Sequence, residues 1–178
     1  MFEAAELGRK VTKAQYDAEL PKLRSALLEA HFALKDTKAP VIVIVSGADG
    51  AGKGEVVHRL NEWLDPRGVD TQAFWQTSDE ERERPRYWRF WRALPARGRV
   101  GILFGSWYSE PIVQRVFGRL KPSKLDTELD RIAFFEKMLA DDGAVLVKLW
   151  FHLSKKAQRR RLKDLESNPK THWRVLPS

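Results

Sequence analysis

Leu20, Leu23, Leu27, Ala30 and Leu34 recur three and four positions apart, the spacing of one apolar helix face within residues 12–35. Proline is tolerated in a first helical turn but not inside a helix, so Pro21 predicts a short lead-in helix over 10–19 and a longer one beginning at Pro21. His31 lies beside the apolar face and reads as a packed histidine rather than a catalyst. After a polar loop at 36–40 come five β-branched residues, Val41-Ile42-Val43-Ile44-Val45, the pattern of a buried strand. An amphipathic helix follows to about Leu64 and stops at Asp65-Pro66-Arg67-Gly68. Residues 69–74 read as a second strand. Ser78 can cap a helix with Glu80 and Glu81 in its first turn, running on through Arg82, Arg84, Arg86, Arg89 and Arg92 to a stop at 94–98. A third strand is expected over 99–104, a short helix over 111–119, a loop at Lys121-Pro122 and a helix over 126–140. In that helix Leu129, Ile132, Ala133, Phe135, Glu136 and Leu139 keep helical spacing. Asp141-Asp142-Gly143 turns the chain into a fourth strand, 144–151, and Ser154 caps a last helix. Strands alternating with helices predict an α/β fold, a parallel sheet with helices on both faces. Ligands of such a sheet gather beyond the carboxyl ends of its strands.

Between the first strand and its helix stands Gly47-Ala48-Asp49-Gly50-Ala51-Gly52-Lys53-Gly54. Gly47, Gly52 and Lys53 match the phosphate-loop (Walker A) pattern of Gly, four residues, then Gly-Lys. The glycines let the amides of Gly47, Ala48, Gly50, Ala51, Gly52, Lys53 and Gly54 turn toward one concave spot. A helix N-terminus aims its positive end there, and Lys53 adds a mobile charge. The full pattern places Ser or Thr after the lysine to hold Mg²⁺; here that residue is Gly54. The last helix carries Lys155, Lys156, Gln158, Arg159, Arg160, Arg161 and Lys163. Directly after a strand in a phosphate-loop protein, that is where a lid closes arginines over phosphates. The lid candidates are Lys155, Gln158, Arg159, Arg160 and Arg161.

The net charge of +8 suits an anionic partner. Nucleic acid is one such partner, since Tyr87, Trp88, Phe90 and Trp91 interleave with the arginines. At helical spacing, though, inward rings and solvated arginines are the favoured reading of that segment, and nucleic acid is not the expected partner. The absence of cysteine excludes disulfides and thiolate metal sites. Residues 1–10 have no apolar core of a signal peptide, and no apolar run approaches the roughly 20 residues of a membrane span. A cytoplasmic protein is expected.

Further residues carry a family resemblance. They are the loop at 47–54, Trp88-Arg89 with Leu94-Pro95 and Gly98, Ser106-Trp107-Tyr108, His152-Leu153-Ser154-Lys155 with Gln158 and Arg161, and Trp173. From about Val11 onward the chain resembles the type 2 polyphosphate kinases, most of all the amino-terminal half of the tandem-domain polyphosphate:AMP phosphotransferases. The strings 86–95 and 104–112 point to that half. The resemblance implies a thymidylate-kinase-like phosphate-loop fold. It implies phosphoryl transfer between inorganic polyphosphate and AMP or ADP with Mg²⁺, and a second such domain or a homo-oligomer as partner. By motif position, Asp49 would hold Mg²⁺ or orient the acceptor phosphate, Lys53 would bind phosphate, and Arg161 would be the lid cation; these three form the candidate catalytic set. The family's active domains carry Asp-Arg before Ser-Trp-Tyr, where this chain has Phe104-Gly105. They also carry Lys or Arg within 74–77, where Trp75-Gln76 stand here. A degenerate copy is therefore expected, weakly active or supporting a catalytic twin. The expected division is a helical segment 1–40 and a phosphate-loop kinase-like domain 41–178, incomplete at its C-terminal end. A non-catalytic domain, a nucleic-acid-binding phosphate-loop ATPase and an ATP-dependent nucleoside kinase remain as other readings.

Overall fold

The structure is a computed structural model that describes Gly8 and residues 10–175. Thr12 caps the first helix, α1 (Lys13–Leu34). Its hydroxyl accepts from the Gln15 N–H while the Gln15 side chain accepts from the Thr12 N–H at 3.0 Å. α1 is one helix with Pro21 inside it, where the sequence predicted a break. Pro21 is exposed, so the carbonyl deprived of its amide partner can turn to water. Only the C-terminal part of the expected apolar face docks. Leu27 and Leu34 pack into the core, and Leu23 stays exposed.

The strands β1 (Val41–Gly47), β2 (Val69–Ala73), β3 (Val100–Phe104) and β4 (Val145–Phe151) form one parallel sheet in the order β2-β3-β1-β4. β1 is paired on both edges and covered on both faces, which is why its β-branched run is unbroken. Helices α2 (Lys53–Trp63), α3 (Asp79–Arg82), α4 (Trp88–Trp91), α5 (Ser109–Val116), α6 (Pro122–Asp141) and α7 (Lys155–Ser167) complete the fold. On one face Val45, Val100 and Ile102 meet Leu27 and Leu34 of α1, Val57 and Leu60 of α2, and Leu64 beyond it. On the other, Ile42, Ile44 and Leu103 meet Phe90 of α4, Trp107, and Ile132, Phe135 and Leu139 of α6. Phe135 anchors that side: Tyr87 stacks on it at 4.4 Å, and Trp91 and Trp107 meet it edge-on at 5.4 and 5.0 Å. The α/β architecture with helices on both faces is the one expected.

Three boundaries differ from expectation. The helix predicted from Ser78 through Arg92 is two short pieces, α3 and α4, because Pro85 falls between them. Ser78 does cap α3, with Glu81 reaching back to its N–H at 2.8 Å. α6 begins at Pro122, which serves as its first residue rather than a loop position. α5 starts at Ser109, two residues before Pro111.

The arginines of 82–89 are matched with acids. Arg82 meets Asp79 at 2.5 Å, Arg84 meets Glu80 at 3.6 Å, Arg86 pairs with Glu128, and Arg89 lies 3.3 Å from Glu81. Arg84 and Arg92 lie over the Trp88 ring, at 5.4 and 4.7 Å from its centroid. A segment that balances its own cations in this way loses the electrostatic footprint of a nucleic-acid site. Among the described residues no helix is long and apolar enough to cross a membrane.

His31 is 4% exposed, against Gly68, and neither ring nitrogen meets a partner in good geometry. Burial holds its pKa below the ordinary 6.5; nearby Asp65 pulls the other way and Lys35 adds to the lowering. With the folded-state histidine pKa depressed, the unfolded chain binds more protons from about 6.5 down to the lowered folded-state value. Stability should therefore fall as pH drops below about 6.5. Melting temperatures measured between pH 7.5 and 5 should show this slope in the wild type and a shallower one in His31→Phe; equal slopes would assign the effect to other groups.

Candidate phosphate-binding site

The loop after β1 is held by contacts only glycine permits. At Gly47 φ is +133°, and a Cβ would stand 2.0 Å from the Phe151 carbonyl oxygen. Gly52 caps α2 at φ +93° with no side-chain cap bond. The first-turn amides of α2, Lys53, Gly54 and Glu55, thus have no intrahelical acceptor and face an uncapped positive end. The Lys53 ammonium folds into the loop: it donates to the Gly47 carbonyl at 2.6 Å, the Ala48 carbonyl at 3.1 Å and Asp49 Oδ1 at 3.1 Å. Asp49 itself is almost fully exposed. Two expected phosphate donors are otherwise engaged. The Ala48 N–H donates to the Phe151 carbonyl at 2.9 Å and the Ala51 N–H to the Ala48 carbonyl at 3.3 Å. These amides shape the loop and tie it to β4, which leaves the amides of Gly50, Gly52, Lys53 and Gly54 as the remaining candidate donors.

The lid expectation divides in two. Ser154 caps α7, accepting from the Ala157 N–H at 3.3 Å. Gln158 donates to the Asp49 carbonyl at 2.9 Å, Leu162 lies against Gly50, and Arg161 reaches 3.9 Å from Glu55 in the first turn of α2. Lys155, Arg159 and Arg160 are exposed, and among the described residues none forms a hydrogen bond or ion pair with the loop.

At the end of β3, Phe104 packs against the α1–α2 side of the core, with the Trp75 ring 6.2 Å away at a steep angle. Gly105 has φ +81°, and a Cβ there would lie 2.8 Å from the Phe74 carbonyl oxygen. An arginine at this position has no room without a different backbone. Over the 74–77 loop, where the motif expects a cation, Arg89 arrives from α4 and donates to Thr77 Oγ1 at 3.2 Å and the Trp75 carbonyl at 3.3 Å.

Ser106 and Trp107 are buried, Tyr108 is half-buried, and the turn is braced by residues that sequence reasoning passed over. Trp107 Nε1 donates to Glu136 Oε1 at 3.0 Å, and Lys148 Nζ donates to Glu136 Oε2 at 2.8 Å and to the Tyr108 hydroxyl at 3.3 Å. The bond to Glu136 raises the Lys148 pKa, while burial, then Glu136, raises that of Tyr108. The one available signal was a carboxylate at an apolar position of α6. Tyr108 and Lys148 line a cleft of about 150 Å³ with Ile44, Ser46, Ile112, Leu149 and Trp150. Among the described residues no cluster of three or more His, Asp or Glu could hold a metal ion; near the loop, Asp49 offers one exposed carboxylate, paired through Oδ1 with Lys53.

The polyphosphate kinase 2 (PPK2) family model matches residues 10–178. The chain belongs to the PPK2 family. It is 52% identical to a polyphosphate:AMP phosphotransferase of Pseudomonas aeruginosa, over 99% of this chain and 36% of that protein. It is 36% identical to a GDP-polyphosphate phosphotransferase of Mycobacterium tuberculosis, over 98% of this chain and 59% of that one. The crystal structure of the polyphosphate kinase 2 of Arthrobacter aurescens superposes with a TM-score of 0.87 at 30% identity, covering 96% of this chain and 62% of that one. This PPK2 chain thus spans between about a third and three fifths of these relatives' lengths. The phosphate-loop kinase fold expected from the sequence is that of the PPK2 structures.

Proposed function

We propose that the protein containing this chain transfers a phosphoryl group from inorganic polyphosphate to AMP, giving ADP, in the cytoplasm and with Mg²⁺. The observation that carries this reading is the uncapped N-terminus of α2 with the Lys53 ammonium gathered beneath Gln158 and Arg161. Residues 41–178 are the phosphate-binding unit, and 1–40 lead into it. Lys53 and the amides of Gly50, Gly52 and Gly54 hold phosphate oxygens. Arg161 approaches from the lid, where it neutralises charge that spreads over the transferring group. Asp49 is the metal-side residue. Asp49 would be the protein residue that holds Mg²⁺, which would supply neutralisation of phosphate charge. Glu136 holds the Ser106–Tyr108 turn, and α7 excludes water by closing over the loop.

The division of labour follows from Phe104 and Gly105. An apolar ring and a glycine in the left-handed region stand where the resemblance implies a metal-binding carboxylate and a phosphate-binding guanidinium, so this chain alone turns over slowly and works beside a second domain of the same kind or another copy of itself. Incubation of the chain with polyphosphate, AMP and Mg²⁺, followed by ADP quantitation, tests both statements. Slow ADP formation that Lys53→Ala abolishes is expected. Turnover at rates typical of kinases, about 1–100 s⁻¹, would refute the degenerate assignment. Absence of polyphosphate binding would refute the function.

A further inference from the structure

The outer face of α7 is unaccounted for by the loop chemistry. At about 100° per residue, Gln158, Arg161 and Leu165 share one side of the helix, and the first two reach the loop region. Lys156, Arg159, Arg160 and Lys163 fall within an arc of about 100° on the opposite side. All four are exposed, and none has an acidic partner among the described residues.

The placement is unfavourable for an isolated helix. Lys156–Arg160 and Arg159–Lys163 are like-charge pairs four residues apart, each costing about 0.2–0.5 kcal/mol. The first turn holds no acid, and cations near a helix N-terminus oppose its dipole. A polyanion lying along the outer face would reverse both terms. α7 has no aromatic ring, so stacking of bases contributes nothing there, and a polymer of phosphates without bases fits it better than single-stranded nucleic acid. Lys156 to Lys163 spans about 11 Å of helix, enough for several consecutive phosphates beyond those at the loop.

We propose that the outer face of α7 is a second polyphosphate site, separate from the loop, that holds the unreacted length of a long chain while its end occupies the loop. This rests on the proposed function for the identity of the polyanion. The two sites joined by one ligand give affinity that grows with chain length, as in any bivalent attachment.

The test compares tripolyphosphate with long-chain polyphosphate, titrated at several salt concentrations into the wild type and into the double variant Lys156→Glu/Lys163→Glu. Neither residue touches the loop. Circular dichroism melts confirm that both proteins are folded. The wild type should bind the long chain at least about tenfold more tightly per molecule. The variant should lose most of that advantage, with a shallower dependence on salt, while its tripolyphosphate affinity stays within about twofold. Equal loss for both ligands, or no loss for either, overturns the second site. If the wild type binds neither ligand, the proposed function fails and the second site with it. Tighter binding of a single-stranded oligonucleotide than of polyphosphate, equally sensitive to the double variant, would assign the face to nucleic acid and overturn the proposal.

Discussion

Asp49→Asn is expected to tighten metal-free binding of tripolyphosphate and to remove the dependence of that binding on Mg²⁺, whereas Lys53→Ala weakens binding under both conditions. The loop satisfies the Lys53 ammonium internally: two carbonyls and Asp49 Oδ1 take its three donors. An arriving phosphate has to draw that ammonium away from Asp49, and it also meets the carboxylate's own charge. Removing the charge relieves both. The pair is exposed on the Asp49 side, so its worth is about 0.2–1 kcal/mol, which sets the expected gain at up to about fivefold. Lys53→Ala removes charge-assisted hydrogen bonds of about 1.5–3 kcal/mol, a loss of roughly tenfold to a hundredfold. Calorimetric titration with and without Mg²⁺ measures both. Weaker metal-free binding in Asp49→Asn would show that the carboxylate does not compete with phosphate for Lys53.

The loop was legible because its chemistry is local: Gly47, Gly52 and Lys53 carry it at fixed spacing, and the strand and helix on either side announce themselves by pattern. The sheet was legible for a similar reason, since the apolar runs of β1, β3 and β4 and the more polar β2 segment each ended at a turn signal. What the pattern could not show was which donors were already taken. The Ala48 amide bonds to Phe151, a residue about a hundred positions away, so its loss to the phosphate site depends on the pairing of β1 with β4. Glu136 was counted as one more position of a helix because its partners, Trp107 and Lys148, lie on other elements. Pro21 and Pro85 show the opposite limit. The same residue type was absorbed in an exposed part of α1 and ended a helix beyond α3, and local preference alone does not separate the two outcomes. The lid was legible as a basic helix but not as two faces, since only docking on the loop tells Gln158 and Arg161 from Lys156 and Lys163.

Phe104→Asp is expected to lower stability and raise ADP formation, whereas Gly105→Arg lowers stability with no gain. Phe104 ends β3 in register with Val45, on the same side of the sheet as α2, so a carboxylate there stands beside the strand that delivers the phosphate loop. The ring is half-buried, against core residues and the edge of Trp75. Its loss should cost about 2 kcal/mol, less than the 3–5 kcal/mol of a fully buried phenylalanine. A carboxylate at position 104, next to the end of β1, would supply the metal-side oxygen that the proposed site lacks, and turnover should rise at least about tenfold, or about 1.4 kcal/mol of barrier. Position 105 offers no such gain. At φ +81° a side chain costs about 1–2 kcal/mol before its Cβ meets the Phe74 carbonyl. The backbone would have to leave the left-handed region, and the Gly105 N–H bond to the Val45 carbonyl would go with it. Steady-state ADP assays beside denaturant melts separate the two effects. A folded Phe104→Asp protein with the wild-type rate would mean that a carboxylate at this position is not what limits the proposed site.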